Sequence, residues 1–263
     1  MTESSEKPDE KPDDKHGEGT LLSHLVELRG RLLKVAAAVI LVFIALLPFA
    51  RRIFEFVSAP LRDVLPGGQM IATAVASPLL APFKLTFYVA LFIAMPIVLY
   101  QTWAFVAPGL YKNEKRFAVP LLASSILLFY AGIAFAYYIV FPLIFGFMTA
   151  IAPEGVEVMT DVTAYLDFIM MIVLAFGLAF EVPIAAVLIV WTGLMSIEQL
   201  AKARPYVFLG AFIVGMFLTP PDVISQTLLA VPIYLLYELG IIMARLLAPK
   251  ADDKAEEPAA TDA

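Results

Sequence analysis

The run 165–195, YLDFIMMIVLAFGLAFEVPIAAVLIVWTGLM, restricts the fold more than any other stretch. It is apolar almost throughout, yet Glu181 stands near its middle and Pro183 two places on. A run of this length and character reads as a membrane-spanning helix. At about 1.5 Å per residue it exceeds a hydrocarbon core of roughly 30 Å, so it must tilt, bend or protrude. An ionised carboxylate at that depth is costly, so Glu181 requires a bundle interior, a water pocket or a proton. Pro183 lacks an N–H and can kink the helix, releasing a carbonyl near the acid. Two readings of Glu181 stand side by side: a functional intramembrane acid, or a protonated, hydrogen-bonded packing residue.

The remaining sequence supplies the shelter such an acid needs. Of 263 residues, 61% are hydrophobic, where a soluble domain has about half. The expectation is an all-α membrane protein in one bundle. The net charge of −6 comes largely from the two ends, so it carries no implication of nucleic-acid binding. With no cysteine, disulfides and thiolate metal sites are excluded. No metal and no cofactor is expected. The polar start has no apolar core, so no cleavable secretory signal is expected.

Residues 1–19, rich in Lys, Glu, Asp and Pro, cannot bury enough apolar surface to fold and read as a disordered tail. Next, Leu21, Leu25, Leu28 and Leu32 fall at helical spacing. They mark an amphipathic helix at the membrane surface, with Ser23 able to cap it and Glu27 and Arg31 sharing a face. It runs or bends into the first of six spans, placed at about 32–50, 83–107, 118–141, 165–195, 206–218 and 226–247 by hydropathy. The 20–247 domain is followed by a polar tail, 248–263, also expected to be disordered. Pro60, Pro66, Pro78, Pro82 and Gly67-Gly68 give the first connection the look of a cap of short helices and turns. The fifth span, at roughly 20 Å, is shorter than a bilayer core.

Lysine and arginine set the orientation. Of the 18 in the chain, fourteen fall with both tails and the second and fourth connections. Four fall opposite: Arg51, Arg52, Arg62 and Lys84. Both termini are therefore expected in the cytoplasm, with Arg51-Arg52 as interface anchors. That orientation places Glu27, Glu114 and Glu198 at the cytoplasmic rim. Two rim carboxylates can accept two guanidinium groups through charge-assisted, bidentate bonds. The plain alternative is acids that are solvated or paired with Arg31 and Lys115.

The segments SHLVELRGRL, VSAPL, MIATAVASP, WAFVAPGLYKNEKR, LLFYAGIAFAYYIVFP, FGLAFEVP, KARPY and FLTPPDVISQ occur in that order. Together they resemble the TatC family, the multi-spanning receptor of the twin-arginine (Sec-independent) protein translocase, over about 21–247. The resemblance implies a six-span, cup-shaped bundle in the bacterial inner membrane. It implies binding of the Arg-Arg signal peptide of folded cargo, single-span partners of the TatA and TatB kind, likewise a homo-oligomer within a larger complex, and transport on the proton-motive force. It assigns Glu27 and Glu114 to the arginine pair, and Arg29 and Phe105 to signal recognition. Pro60 and Asp222 match functionally sensitive periplasmic positions, and Glu181 the intramembrane acid. Met216, Phe217, Thr219 and Gln226 fall where a partner helix lies. One departure is visible: Asn113 and Lys115 stand where relatives often carry His and Arg.

The residues also admit plainer readings: Met216 and Phe217 as packing, Asp222 as a helix cap, and Thr219 and Gln226 as interhelical hydrogen bonders. A proton-coupled solute transporter using Glu181 would call for inverted repeats and further midplane charges. No such repeat is found, and Glu238 is the one other candidate. An intramembrane hydrolase is disfavoured, because the only histidines, His16 and His24, precede the first span. Neither HExxH nor GxSxG occurs. The chain is expected to be no enzyme.

Overall fold

A computed structural model describes residues 15–64, 71–106, 115–150, 161–218 and 223–247. Within them the chain is helical, and extended backbone pairs only at Ile71 with Asp161, in a parallel bridge. Five stretches are long and apolar enough to cross a bilayer, and Arg204–Leu218 is a shorter apolar sixth.

The first helix, α1, runs unbroken over Lys15–Leu46. The amphipathic segment and the first span are therefore one rod, Ser23 lies inside it, and 15–19 are helical. A 3-10 turn, Leu47–Phe49, holds Pro48 at its start and leads into α2, Ala50–Val64. Helix α2 turns Arg51, Arg52 and Glu55 outward and packs Ile53, Phe54 and Val57 on the core. It replaces most of the expected run of short helices.

Helix α3, Ser77–Val106, starts six residues before the expected span and carries Pro82 and Pro96 inside it. Thr86 donates to the Pro82 carbonyl at 2.7 Å, one way side chains serve backbone groups near an intramembrane proline. Helix α4, Lys115–Phe135, passes through a π turn, Ala136–Val140, into α5, Phe141–Ala150. The expected third span ends at 141, just ahead of Pro142. The π turn shifts the hydrogen-bond register where the proline lacks its N–H, and the rod continues.

The opening run forms two helices, α6, Val162–Ala179, and α7, Val182–Trp191. Asp161 caps α6, accepting from the N–H groups of Thr163 and Ala164 at 2.9 and 3.0 Å. Helix α7 ends in a Schellman arrangement: Gly193, at φ +71°, bonds back to Val190, and Leu194 to Ile189. A left-handed residue at that position suits glycine. A short α8, Ile197–Lys202, follows, closed by a reciprocal Ser196–Gln199 capping box. Helix α9 spans Arg204–Leu218 and α10 spans Val223–Leu247.

Helix α3 packs on α1 and α2, α4 on α6, and α10 on α7 and α9. The main core lies between α3, α4, α5 and α6, around Leu85, Phe129, Ile144, Ile169 and Phe176. A second cluster joins Trp103, Leu121, Val187, Trp191 and Ala244, so the ends of α3, α7 and α10 meet at one end of the bundle. Large apolar side chains along α1, such as Leu33, Ile40, Leu41 and Ile44, face outward, as lipid-facing side chains do.

Candidate functional site

Three polar places stand out in this apolar frame. The first is at the end of the bundle where α1 begins. Glu27 and Arg31, one helical turn apart, pair through Nε at 3.1 Å and through Nη2, both to Oε1. Nη2 also donates to the Ala104 carbonyl at 3.0 Å, which ties α1 to the last turn of α3. Phe105, the next residue, is partly exposed. Glu27 and Phe105, far apart in sequence, therefore share one corner. Arg29 is exposed on the same turn of α1. The Glu27 side chain is 38% exposed and that of Arg31 21%. Glu114 lies outside the described residues. A pair so placed is worth about 0.2–1 kcal/mol, so Glu27 is occupied without being locked.

The second place is the break between α6 and α7. Glu181 is the residue before α7, with Pro183 in its first turn, where a missing N–H costs nothing. Ser125 of α4 donates to Glu181 Oε2. Oε1 is buried without a hydrogen-bond partner among the described residues. Small residues bring the helices close here: a Cβ on Gly240 would sit 3.0 Å from the Pro183 Cα. The proline thus does more than bend the run. It divides it, and the carboxylate takes the cap position without serving as a side-chain cap.

The third place is at the opposite end, between α3 and α6. Asp161 accepts four hydrogen bonds: two cap α6, and the N–H and hydroxyl of Thr73 donate at 2.9 and 2.7 Å. The Ala164 N–H, with the Thr73 hydroxyl and N–H, holds its carboxyl down at about 2. Thr163 donates to Ser77 at 2.8 Å, and Lys84 pairs with Asp167. The aspartate and its threonine were not singled out in the sequence. Asp161 ahead of an apolar run was the available signal, since Asp before such a run is a cap pattern, and nothing local marked Thr73.

The expected partner-helix residues separate. Met216 and Phe217 are 50% and 72% exposed on α9, pointing away from the chain's own packing. Gln226 instead donates to the Phe212 carbonyl at 2.8 Å, stapling α10 to α9. Thr219 and Asp222 lie outside the described residues, as does the side chain of Pro60, which sits within α2. Glu238 is no isolated midplane charge: Arg204 reaches both its oxygens, at 2.7 and 2.9 Å, and Tyr234 donates at 2.9 Å. Among the described residues no group of His, Cys, Asp and Glu has the makings of a metal site.

Known proteins are similar to this chain in sequence and in backbone. Residues 23–232 match the family model described as Sec-independent protein translocase protein (TatC). The chain is 58% identical over 243 residues to the Sec-independent protein translocase protein TatC of Azotobacter chroococcum mcd 1, covering 92% of this chain and 93% of that one. It is 57% identical over 237 residues to that of Escherichia coli (strain K12), covering 90% and 92%. A crystal structure of the twin arginine translocase receptor TatC aligns with a TM-score of 0.77 at 38% identity, over 85% of this chain and 98% of that one. Sequence and backbone thus agree across nearly the whole helical region, and the chain belongs to the TatC family of Sec-independent protein translocases.

Proposed function

We propose that the chain is the receptor subunit of a twin-arginine translocase in a bacterial inner membrane, with both termini in the cytoplasm. It binds the Arg-Arg signal peptide of folded cargo at the end of the bundle that holds Glu27. With TatA- and TatB-type partners, in a larger complex holding more than one copy, it passes that cargo across the membrane on the proton-motive force. The observation that carries this reading is that Arg31, paired with Glu27, bonds the Ala104 carbonyl beside Phe105, which brings Glu27 to the end of α3 in a chain of this family. A half-exposed carboxylate at a bundle rim selects a cation, and planar two-bond geometry favours guanidinium over ammonium. Glu114 is the second acid of this site. The signal's apolar segment then leaves water by lying along the outward apolar faces of the helices.

Glu181 seats a polar group of a partner helix or of the inserted signal, and the unmatched Oε1 supports that role. The outward Met216 and Phe217 support a partner helix along α9, with Thr219 and Gln226 at its edge. Pro60 and Asp222 act at the periplasmic end. The pairing of Glu238 with Arg204 leaves a solute transporter without the converging charges it needs.

Photocrosslinking tests the reading. A crosslinking residue at position 114 should capture an Arg-Arg signal and lose it when the signal carries Lys-Lys. Glu27→Lys should abolish capture while the protein still accumulates in the membrane. Equal capture of both signals, or full capture by the Glu27→Lys protein, rejects the assignment.

A further inference from the structure

Arg31 stands inside the proposed recognition corner, and its contacts are of the kind an incoming arginine would make there. Two of its nitrogens donate to Glu27, and one also reaches the Ala104 carbonyl. Both bonds to Glu27 fall on Oε1, and among the described residues none reaches Oε2. The pair between Arg204 and Glu238 shows the fuller form, with one nitrogen on each oxygen. A planar fork on two oxygens is the stronger and more directional arrangement. Glu27 is thus held by its own chain in a form that a better-placed guanidinium can improve on.

We infer that Arg31 is a resident stand-in for the signal's arginine, closing the Glu27 site until an incoming guanidinium displaces it. This rests on the reading above that Glu27 receives a signal arginine. The exchange leaves no charge bare. The residue four places after Ala104 is Pro108, which has no N–H to give the Ala104 carbonyl. Arg31 keeps its bond to that carbonyl after it releases the carboxylate.

A site whose open form is only partly populated binds every ligand more weakly by the same fraction. Arg31 therefore lowers the affinity for Arg-Arg and Lys-Lys segments alike and leaves their ratio unchanged. It acts as a threshold: cationic segments that fit Glu27 poorly fall below it, and a true signal clears it. A residue that merely positioned Glu27 would have the opposite sign, since removing it would weaken binding.

The experiment measures binding of fluorescent Arg-Arg and Lys-Lys signal peptides to the full chain in lipid nanodiscs. Arg31→Gln should tighten both peptides by the same factor, on the order of threefold for a partly exposed pair. Arg31→Lys keeps the charge but not the fork, and should tighten both by an intermediate factor. A gain in Arg31→Gln with none in Arg31→Lys reduces the effect to charge repulsion and overturns the inference. Unchanged or weaker binding in both variants, with melting temperatures kept, overturns it as well. Glu27→Gln separates the two levels. If it binds Arg-Arg like the unsubstituted chain, the recognition site itself is misassigned. If it loses binding while the Arg31 variants gain nothing, only the role of Arg31 fails.

Discussion

Two carboxylates in this chain are held in opposite ways. Glu181 has one donor, Ser125, and one buried oxygen without a partner among the described residues. Asp161 has four donors and is saturated. Saturation makes Asp161 a fastener, because it joins the segment before α3 to the start of α6 through one side chain. Its carboxyl is held at about 2, below its ordinary 3.8. Folding lowers this value, so the unfolded chain is the form that takes up the proton more readily. The contribution to stability is complete above about pH 4, shrinks as pH falls toward 2, and is gone below that. We expect Asp161→Ala to lower the melting temperature at pH 7. The gap to the unsubstituted chain should narrow below pH 4 and close near pH 2, read by thermal melts in an acid-tolerant detergent. A gap that stays constant to pH 2 would show that something other than the ionised carboxylate fastens the two segments.

At the scale of helices, close approach is set by glycine. A Cβ on Gly132 of α4 would lie 2.5 Å from the Phe176 carbonyl oxygen of α6, and one on Gly177 would lie 2.6 Å from the ring of Phe129. Backbone cannot yield as a side-chain tip can, so Gly132→Ala should force α4 and α6 apart at a cost of about 1–3 kcal/mol. Gly210 of α9 meets nothing within 4 Å, and Gly210→Ala should stabilise by up to about 1 kcal/mol through helix propensity. Opposite shifts in melting temperature check the pair; matching shifts would mean packing is not what separates them. The elements themselves were largely legible, because hydropathy reports burial in lipid directly. Their ends were not. Pro142 carries the sequence signature of a stop, yet a π turn absorbs its missing N–H and the rod runs on to Ala150. Ser23 carries the signature of a start, yet it lies within α1, which is already helical at Lys15. Local signals state what a residue permits, and neighbouring helices decide which option is taken.

For the whole molecule, the two ends of the bundle differ in chemistry. One end gathers Glu27, Arg31, Lys202, Arg204 and Arg245, with the Trp191 ring N–H on the Leu247 carbonyl at 3.2 Å. The other holds the Asp161 fastener, with Arg51 and Arg52 exposed on α2. Sequence alone could assign Glu27 and Phe105 to recognition by resemblance, but not their adjacency, which comes from α1 lying along α3. Nor could it show that Gln226 bonds within its own chain, since an amide at a membrane edge serves either partner equally. The charge distribution still makes one demand on the assembled protein. Fourteen of the 18 Lys and Arg should lie in the cytoplasm, and the Glu27 site then faces newly made cargo. The chain has no cysteine, so a single introduced thiol reports one position. Val75 and Leu194 are both strongly exposed, before α3 and after α7, at opposite ends of the bundle. A membrane-impermeant maleimide should label Val75→Cys in spheroplasts and Leu194→Cys only in inverted vesicles. The reverse pattern would put the carboxylate on the far side of the membrane from any signal peptide, and reception at Glu27 would be impossible.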